Sequence, residues 1–333
     1  MKTYFIFFVL TIFLISCKNP DSSKDTGSAN VDPSIAQLSI DIEKNPENSS
    51  LLFDRARVYY EKQSYDLAIS DLKKAISLDT MNAAYYHLLS DVYLDNYNSG
   101  EAINTLLYLV ALQPTRIPSL LKLAELRYII EEYDESILTL NEIVKMDPLN
   151  AEAFFMLGVN FKAMKDIPRA INSFQRAVEL DKNITDAWIT LGELYESKND
   201  PVALKYYNSA ILSNPTSSQA KHAKAYYLQN HGNVKEALKM YNDIIINDKN
   251  YTDAYLNAGV LYLELDSLSR ANETFTLLTK IDPTNYMGYF MNGVVLEKLG
   301  KTADALQNYK SARNLNSEDI KVKEAVARLE NVQ

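Results

Sequence analysis

An all-α solenoid is the fold class this sequence predicts, and three observations carry the prediction. Small residues recur with the period of a two-helix unit, about 34 residues. They are Ala68, Ala102, Ser136 and Ala170, then, after one step shorter by a residue, Ala203, Ala237, Ala271 and Ala305. Two further series trail the first. One, four residues on, runs Leu72, Leu106, Leu140, Phe174, Tyr207, Tyr241, Phe275 and Tyr309. The other, seven residues on, runs Ala75, Leu109, Ile143, Ala177, Ala210, Ile244, Leu278 and Ala312. Offsets of four and seven put all three on one helical face. Finally, 9 Gly and 10 Pro among 333 residues are too few for a β-rich chain with many tight turns.

The elements follow in order. Residues 1–17 read MKTYFIFFVLTIFLISC. A basic Lys2 precedes an apolar run from Tyr4 to Ile15. That run is shorter than the roughly 20 residues a membrane span needs, and fits the core of a signal peptide. It closes with Leu14-Ile15-Ser16-Cys17, which resembles a bacterial lipobox, and Cys17 is the only cysteine in the chain. The resemblance implies cleavage before Cys17 and lipidation of its thiol and new N-terminus by acyl chains such as palmitate. Two or more chains hold a protein stably on a bilayer. Lys18 stands where many proteobacterial lipoproteins of the inner membrane carry Asp, which points to the outer membrane of a bacterial cell envelope. Residues 18–33 (KNPDSSKDTGSANVDP) have no apolar period and are expected to be a disordered tether. Residues 34–48 hold a lone amphipathic helix that ends before Pro46.

Residues 49–319 then read as one unit written eight times: 49–82, 83–116, 117–150, 151–184, 185–217, 218–251, 252–285 and 286–319. Each opens with a second amphipathic helix. Its apolar markers include Leu52, Tyr86, Leu120, Phe154, Trp188, Tyr255 and Tyr289, each followed four residues later by Ala56, Ser90, Ala124, Gly158, Gly192, Gly259 or Gly293. Asp147-Pro148, Asn214-Pro215 and Asp282-Pro283 stop the closing helices. The fullest copy, Trp188, Leu191-Gly192, Tyr195, Ala203, Tyr207 and Pro215, resembles the tetratricopeptide repeat (TPR), a helix–turn–helix. The resemblance implies a right-handed superhelix. The glycines are read as packing positions, where close approach of the paired helix offsets their cost in a helix of about 1 kcal/mol. Residues 320–333 form a final helix with Val322, Ala325, Val326 and Leu329 inward and a charged outer face, as a capping element requires.

The chemistry of a catalyst is missing from the sequence. His87, His222 and His231 stand in no metal-ligand motif, and neither a nucleophile elbow nor a phosphate loop occurs. A formal charge of −9 argues against nucleic acid. The expectation is therefore a non-enzyme without cofactor or metal.

The TPR resemblance places function on the wall built by the first helix of each repeat, at its second, fifth, ninth, twelfth and thirteenth positions. These are rich in carboxylates and poor in bases. In the first two repeats they include Phe53, Arg57, Tyr60, His87, Asp91 and Asp95. The third contributes Leu121, Glu125 and Tyr128. Further along come Phe155, Ile189, Glu193, Glu196, Tyr226, Leu256 and Phe290. Phe53, Leu121, Phe155, Ile189, Leu256 and Phe290 share one repeat position and form an apolar ladder. Such a lining suits a polypeptide with apolar anchors and Lys/Arg flanks. A clamp for a C-terminal carboxylate is not expected, because Phe53, Arg57, His87 and Pro118 replace its usual residues. The expected function is a membrane-anchored adaptor or scaffold for protein or peptide partners in the envelope. The alternative is capture of glycan or peptide fragments, with Tyr60, Tyr128 and Tyr226 stacking on the ligand.

Overall fold

The computed structural model describes residues 32–331. The signal-like segment, Cys17 and the tether up to Val31 lie outside the described residues. Every regular element among the described residues is a helix, eighteen in all, as the fold class requires. No helix among them is long and apolar enough to cross a membrane. They belong to two compact units, one ending at Asn98 and the other beginning at Ser99. The boundary falls between the two helices of the second repeat.

The first unit holds α1 (Pro33–Lys44), α2 (Ser49–Glu61), α3 (Tyr65–Leu78) and α4 (Ala83–Asp95). Asp32 caps α1 by accepting from the Ser34 amide at 2.9 Å, and Pro33 occupies the first turn, where its missing N–H is not needed. Asp32 also pairs with Lys62 at 2.8 Å. Asp32 and Pro33 therefore belong to the helix, not to the tether the sequence suggested. Ile42, Leu52, Ala75 and Tyr85 form the core. Beside it Arg55 grips the buried Asp71 with two parallel bonds of 2.7 and 2.8 Å and reaches Ser39 at 2.9 Å, tying α1, α2 and α3 together.

The second unit begins with α5 (Ser99–Leu112). Pairs follow: α6 (Ile117–Ile129) and α7 (Tyr133–Met146), α8 (Ala151–Ala163) and α9 (Ile167–Leu180), α10 (Thr185–Glu196) and α11 (Ala203–Ser213). The last three are α12 (Ser218–Asn230) with α13 (Val234–Asn247), α14 (Thr252–Glu264) with α15 (Leu268–Ile281), and α16 (Tyr286–Lys298) with α17 (Thr302–Leu315). The closing helix is α18 (Ile320–Glu330). Helices adjacent in sequence pack on each other from α5 onward, and first helices of neighbouring repeats also touch, α6 with α8, α10 with α12 and α14 with α16. The first helices thus form a wall within this unit.

The turns are set mostly by backbone. The fifteenth residue of every repeat has a left-handed φ: Gln63, Tyr97, Glu131, Lys165, Asn199, Gly232, Asp266 and Gly300. The next amide always donates back to the eleventh carbonyl, as Asp166 does to Phe161 at 2.8 Å, closing a Schellman motif. At the far end of most repeats an Asp or Asn side chain accepts from the amide two residues on. Examples are Asp147 to Leu149, Asn214 to Thr216 and Asp282 to Thr284. This Asx turn ends the second helix.

Pairing within repeats is matched by size. A Cβ on Gly158, Gly192, Gly259 or Gly293 would lie 2.5–2.6 Å from ring atoms of Phe174, Tyr207, Phe275 or Tyr309 respectively. Where the closing helix offers Leu72 or Leu140 instead, the same place carries Ala56 or Ala124, both buried. The sixth repeat combines Ala225 with Tyr241. Ser136 replaces the usual Ala of its series and donates to the Ala124 carbonyl at 2.8 Å, which satisfies its buried hydroxyl.

Candidate functional site

Four of the residues singled out on the wall, Ile189, Glu193, Glu196 and Tyr226, line one open cleft of about 430 Å³ in the second unit. Ser197, Tyr207, Gln219, His222 and Ala223 complete it. The α10–α12 contact brings them together: Ile189, Glu193 and Glu196 recur at helical spacing along α10, and Gln219, His222, Ala223 and Tyr226 along α12. The floor is apolar. Ile189 is only 3% exposed and packs with Ala210 and Ala220.

Two carboxylates rim the cleft. Glu193 pairs with Lys162 on α8 at 3.2 Å. Glu196 accepts a short bond of 2.6 Å from the Tyr207 hydroxyl, and the Asn230 amide lies 3.4 Å from its other oxygen. Burial and the Glu196 bond together push the Tyr207 hydroxyl well above its ordinary value, so it stays a donor. On the opposite side His222 sits among the rings of Tyr226, Tyr241 and Tyr251 at 6.4, 5.5 and 5.4 Å. Burial holds its pKa below the ordinary 6.5, and the Asp253 carboxylate opposes that shift. Its Nε2 lies 2.9 Å from the Asn257 amide nitrogen, which can only donate, so this imidazole nitrogen accepts. Tyr226 is 46% exposed and offers its ring to solvent. The cleft can therefore bind an apolar group on its floor and a cation at its rim. The arrangement holds no nucleophile–base pair.

The other singled-out residues do not join this cleft. In the first unit Phe53 packs on Tyr85 with ring centroids 5.1 Å apart, Tyr60 donates to Asp95 at 2.6 Å, and Arg57 is exposed. His87 and Asp91 are half-buried on α4. In the second unit Leu121 and Phe155 are half-buried against the core under α6 to α10, and Phe155 packs on Phe174 at 5.7 Å. Leu256 and Phe290 pack in the same manner farther along. Glu125 pairs with its neighbour Lys122 at 3.1 Å, and Tyr128 packs on Tyr133 at 5.7 Å. The apolar ladder thus serves partly as packing. Tyr207 belongs to the recurring series of the closing helices and is also part of the rim. The available signal was a Tyr in place of Phe at that position, since a buried hydroxyl needs a partner.

The fold and this wall define a helical-repeat protein with an open cleft on two of its first helices. Family models described as TPR or tetratricopeptide repeat match residues 56–96, 151–184 and 222–286. These stretches of the chain carry tetratricopeptide repeats. Among curated proteins it is 26% identical to an Hsp70-Hsp90 organizing protein of Triticum aestivum, over 73% of this chain and 37% of that protein. It is 23% identical to anaphase-promoting complex subunit 3 of Schizosaccharomyces pombe, over 80% of this chain and 38% of that protein. The chain thus spans little more than a third of the length of these relatives. Among solved structures it is similar to a chain of the APC/C hetero-tetramer Cut9–Hcn1, with a TM-score of 0.53 and 14% identity, over 89% of this chain and 58% of that one. That likeness speaks to the fold alone.

Proposed function

We propose that this protein is a non-enzymatic scaffold that holds a polypeptide segment on the wall of its first helices, and that a lipid on Cys17 anchors it in the bacterial cell envelope, at the outer membrane. One observation carries the binding role: wall residues far apart in sequence converge on an open cleft with an apolar floor, an exposed aromatic ring and carboxylate rims. That combination suits a segment with apolar anchors and basic flanks. The names of two relatives, an Hsp70-Hsp90 organizing protein and a subunit of the anaphase-promoting complex, are those of proteins that work with other proteins, and they support the same reading. The anchor rests on the sequence of residues 1–17. Glycan capture is less well supported. Of the three candidate stacking rings only Tyr226 lines the cleft, while Tyr128 packs on Tyr133 and Tyr60 is held by Asp95.

A photo-crosslinking amino acid at Gln219, in the cleft wall, tests the binding role in cells. A discrete crosslinked polypeptide is expected, and Tyr226→Ala with Glu193→Lys is expected to reduce it at least fivefold. Absence of any crosslinked polypeptide with the full-length protein at normal abundance overturns the scaffold. Cys17→Ser is expected to abolish palmitate labelling and release the protein from the membrane fraction. Retention with undiminished label overturns the anchor. Ile189 is a poor probe, because a charge there would disrupt the core before it reported on binding.

A further inference from the structure

We propose that the rim of this cleft is built to receive an arginine side chain of the bound polypeptide, with Glu196 taking the guanidinium and Tyr226 stacking on it. The proposal rests on the scaffold reading and names the chemistry of the residue that docks.

The protein carries its own precedent. The twelfth position of a repeat is Glu in two copies, the fifth (Glu196) and the eighth (Glu297). Each glutamate accepts from the tyrosine hydroxyl of its own repeat's closing helix, Tyr207 at 2.6 Å and Tyr309 at 3.0 Å. In the eighth repeat that pair is filled. Arg328 of α18 sets both terminal nitrogens on the Glu297 carboxylate, one of them 2.9 Å from Oε2. This is the two-pronged geometry by which arginine recognises a carboxylate. The glutamate–tyrosine unit is therefore seen holding a guanidinium.

In the fifth repeat the same unit has no cation. Arg328 stands at the ninth place of a first helix that follows the eighth repeat directly. The fourth repeat obeys the same rule, with Lys162 at its twelfth place paired to Glu193 at the ninth place of the fifth. The ninth place after Glu196 is Tyr226, which carries no charge. Among the described residues no lysine or arginine pairs with Glu196. What stands there is an exposed ring, the surface on which a guanidinium stacks. The opening at this point is large enough for a side chain to enter, and Ile189 and Ala223 line its apolar part. An arginine reaching in would meet a carboxylate oriented by Tyr207, a ring face and a floor for its methylene stem.

The test uses three blocked pentapeptides, Gly-Leu-Xaa-Leu-Gly, with arginine, lysine or citrulline at the centre, titrated calorimetrically into the full-length protein. Arginine is expected to bind at least about fivefold more tightly than lysine, and citrulline more weakly still. Glu196→Gln is expected to weaken the arginine peptide about tenfold, and Tyr207→Phe by a smaller factor. Glu297→Gln, whose carboxylate is already occupied, is expected to leave binding unchanged. Thermal melts of each variant show that the fold is kept. Equal affinity for arginine and citrulline, or equal binding by wild type and a folded Glu196→Gln, overturns the proposal. So does failure of all three peptides to bind. If the Gln219 crosslink persists in any of those cases, the arginine site falls and the scaffold stands. If arginine binds through Glu196 but no polypeptide crosslinks in cells, the scaffold falls and the site remains.

Discussion

At the residue scale, the cleft depends on packing behind it as much as on the groups that face it. Gly192 lies under the Tyr207 ring, and a methyl group there would come within 2.5 Å of a ring carbon. The ring cannot swing aside cheaply, because its hydroxyl is fixed on Glu196. Gly192→Ala gains about 1 kcal/mol of helix propensity but overpacks the pair by about 1–3 kcal/mol. The expected outcome is a net loss in urea unfolding together with weaker binding at Glu196. A more stable, fully active variant would show that the ring has room to move. The packing role of these glycines was legible, since each faces an aromatic four places into the recurring series. The partners of Arg55 and Asp71 were not. An ion pair between two helices, with a third bonded to it through Ser39, depends on how the helices are rotated against each other, and periodicity does not encode that. Ile189 shows the same limit: its repeat position was clear in the sequence, but its near-complete burial follows from Ala210 and Ala220 packing beneath it.

At the scale of the element, the corner between paired helices is written in backbone hydrogen bonds more than in side chains. Six of the eight left-handed positions carry a residue other than glycine, and so the corner escapes a search for glycine turns. Each such residue bears a steric cost that glycine does not. Lys165→Gly, at φ 61° and remote from the cleft lining, is expected to stabilise the protein by about 1 kcal/mol. Asn199→Gly should give less, because asparagine enters this region more easily. Denaturant midpoints of the two variants check the ranking, and a loss of stability in Lys165→Gly would contradict it. Helix existence and order were legible throughout, because the 34-residue period marks both helices of each repeat. The first helix was less so at its start. Asp32 and Pro33 look like the end of a polar tether until the Ser34 and Lys62 contacts are seen.

At the scale of the whole molecule, stability in a repeat array is a sum of units and their nearest-neighbour interfaces, so a buried titrating group in one repeat weighs on its neighbours. His222 is such a group, with the rings of Tyr226, Tyr241 and Tyr251 around it, Asn257 on its Nε2 and the Asp253 carboxylate nearby. Its pKa in the folded protein is below 6.5. As pH falls, the unfolded chain takes the proton first. The stability this group contributes is therefore full above about 6.5 and is lost on acidification below it. Chemical denaturation at pH 7.5 and pH 5 is expected to show wild type losing more stability than His222→Phe. An equal loss in both would assign the acid sensitivity elsewhere.

The shared geometry of the corners has a consequence for how such a chain changes over generations. Because the same backbone conformation returns at the same place in every copy, a genetic crossover between equivalent codons of two copies joins matching ends. Whole copies can be gained or lost without shifting the frame of the surfaces on either side. The array's length is thereby uncoupled from its specificity, and a single unusual junction can persist while its surroundings are duplicated or trimmed.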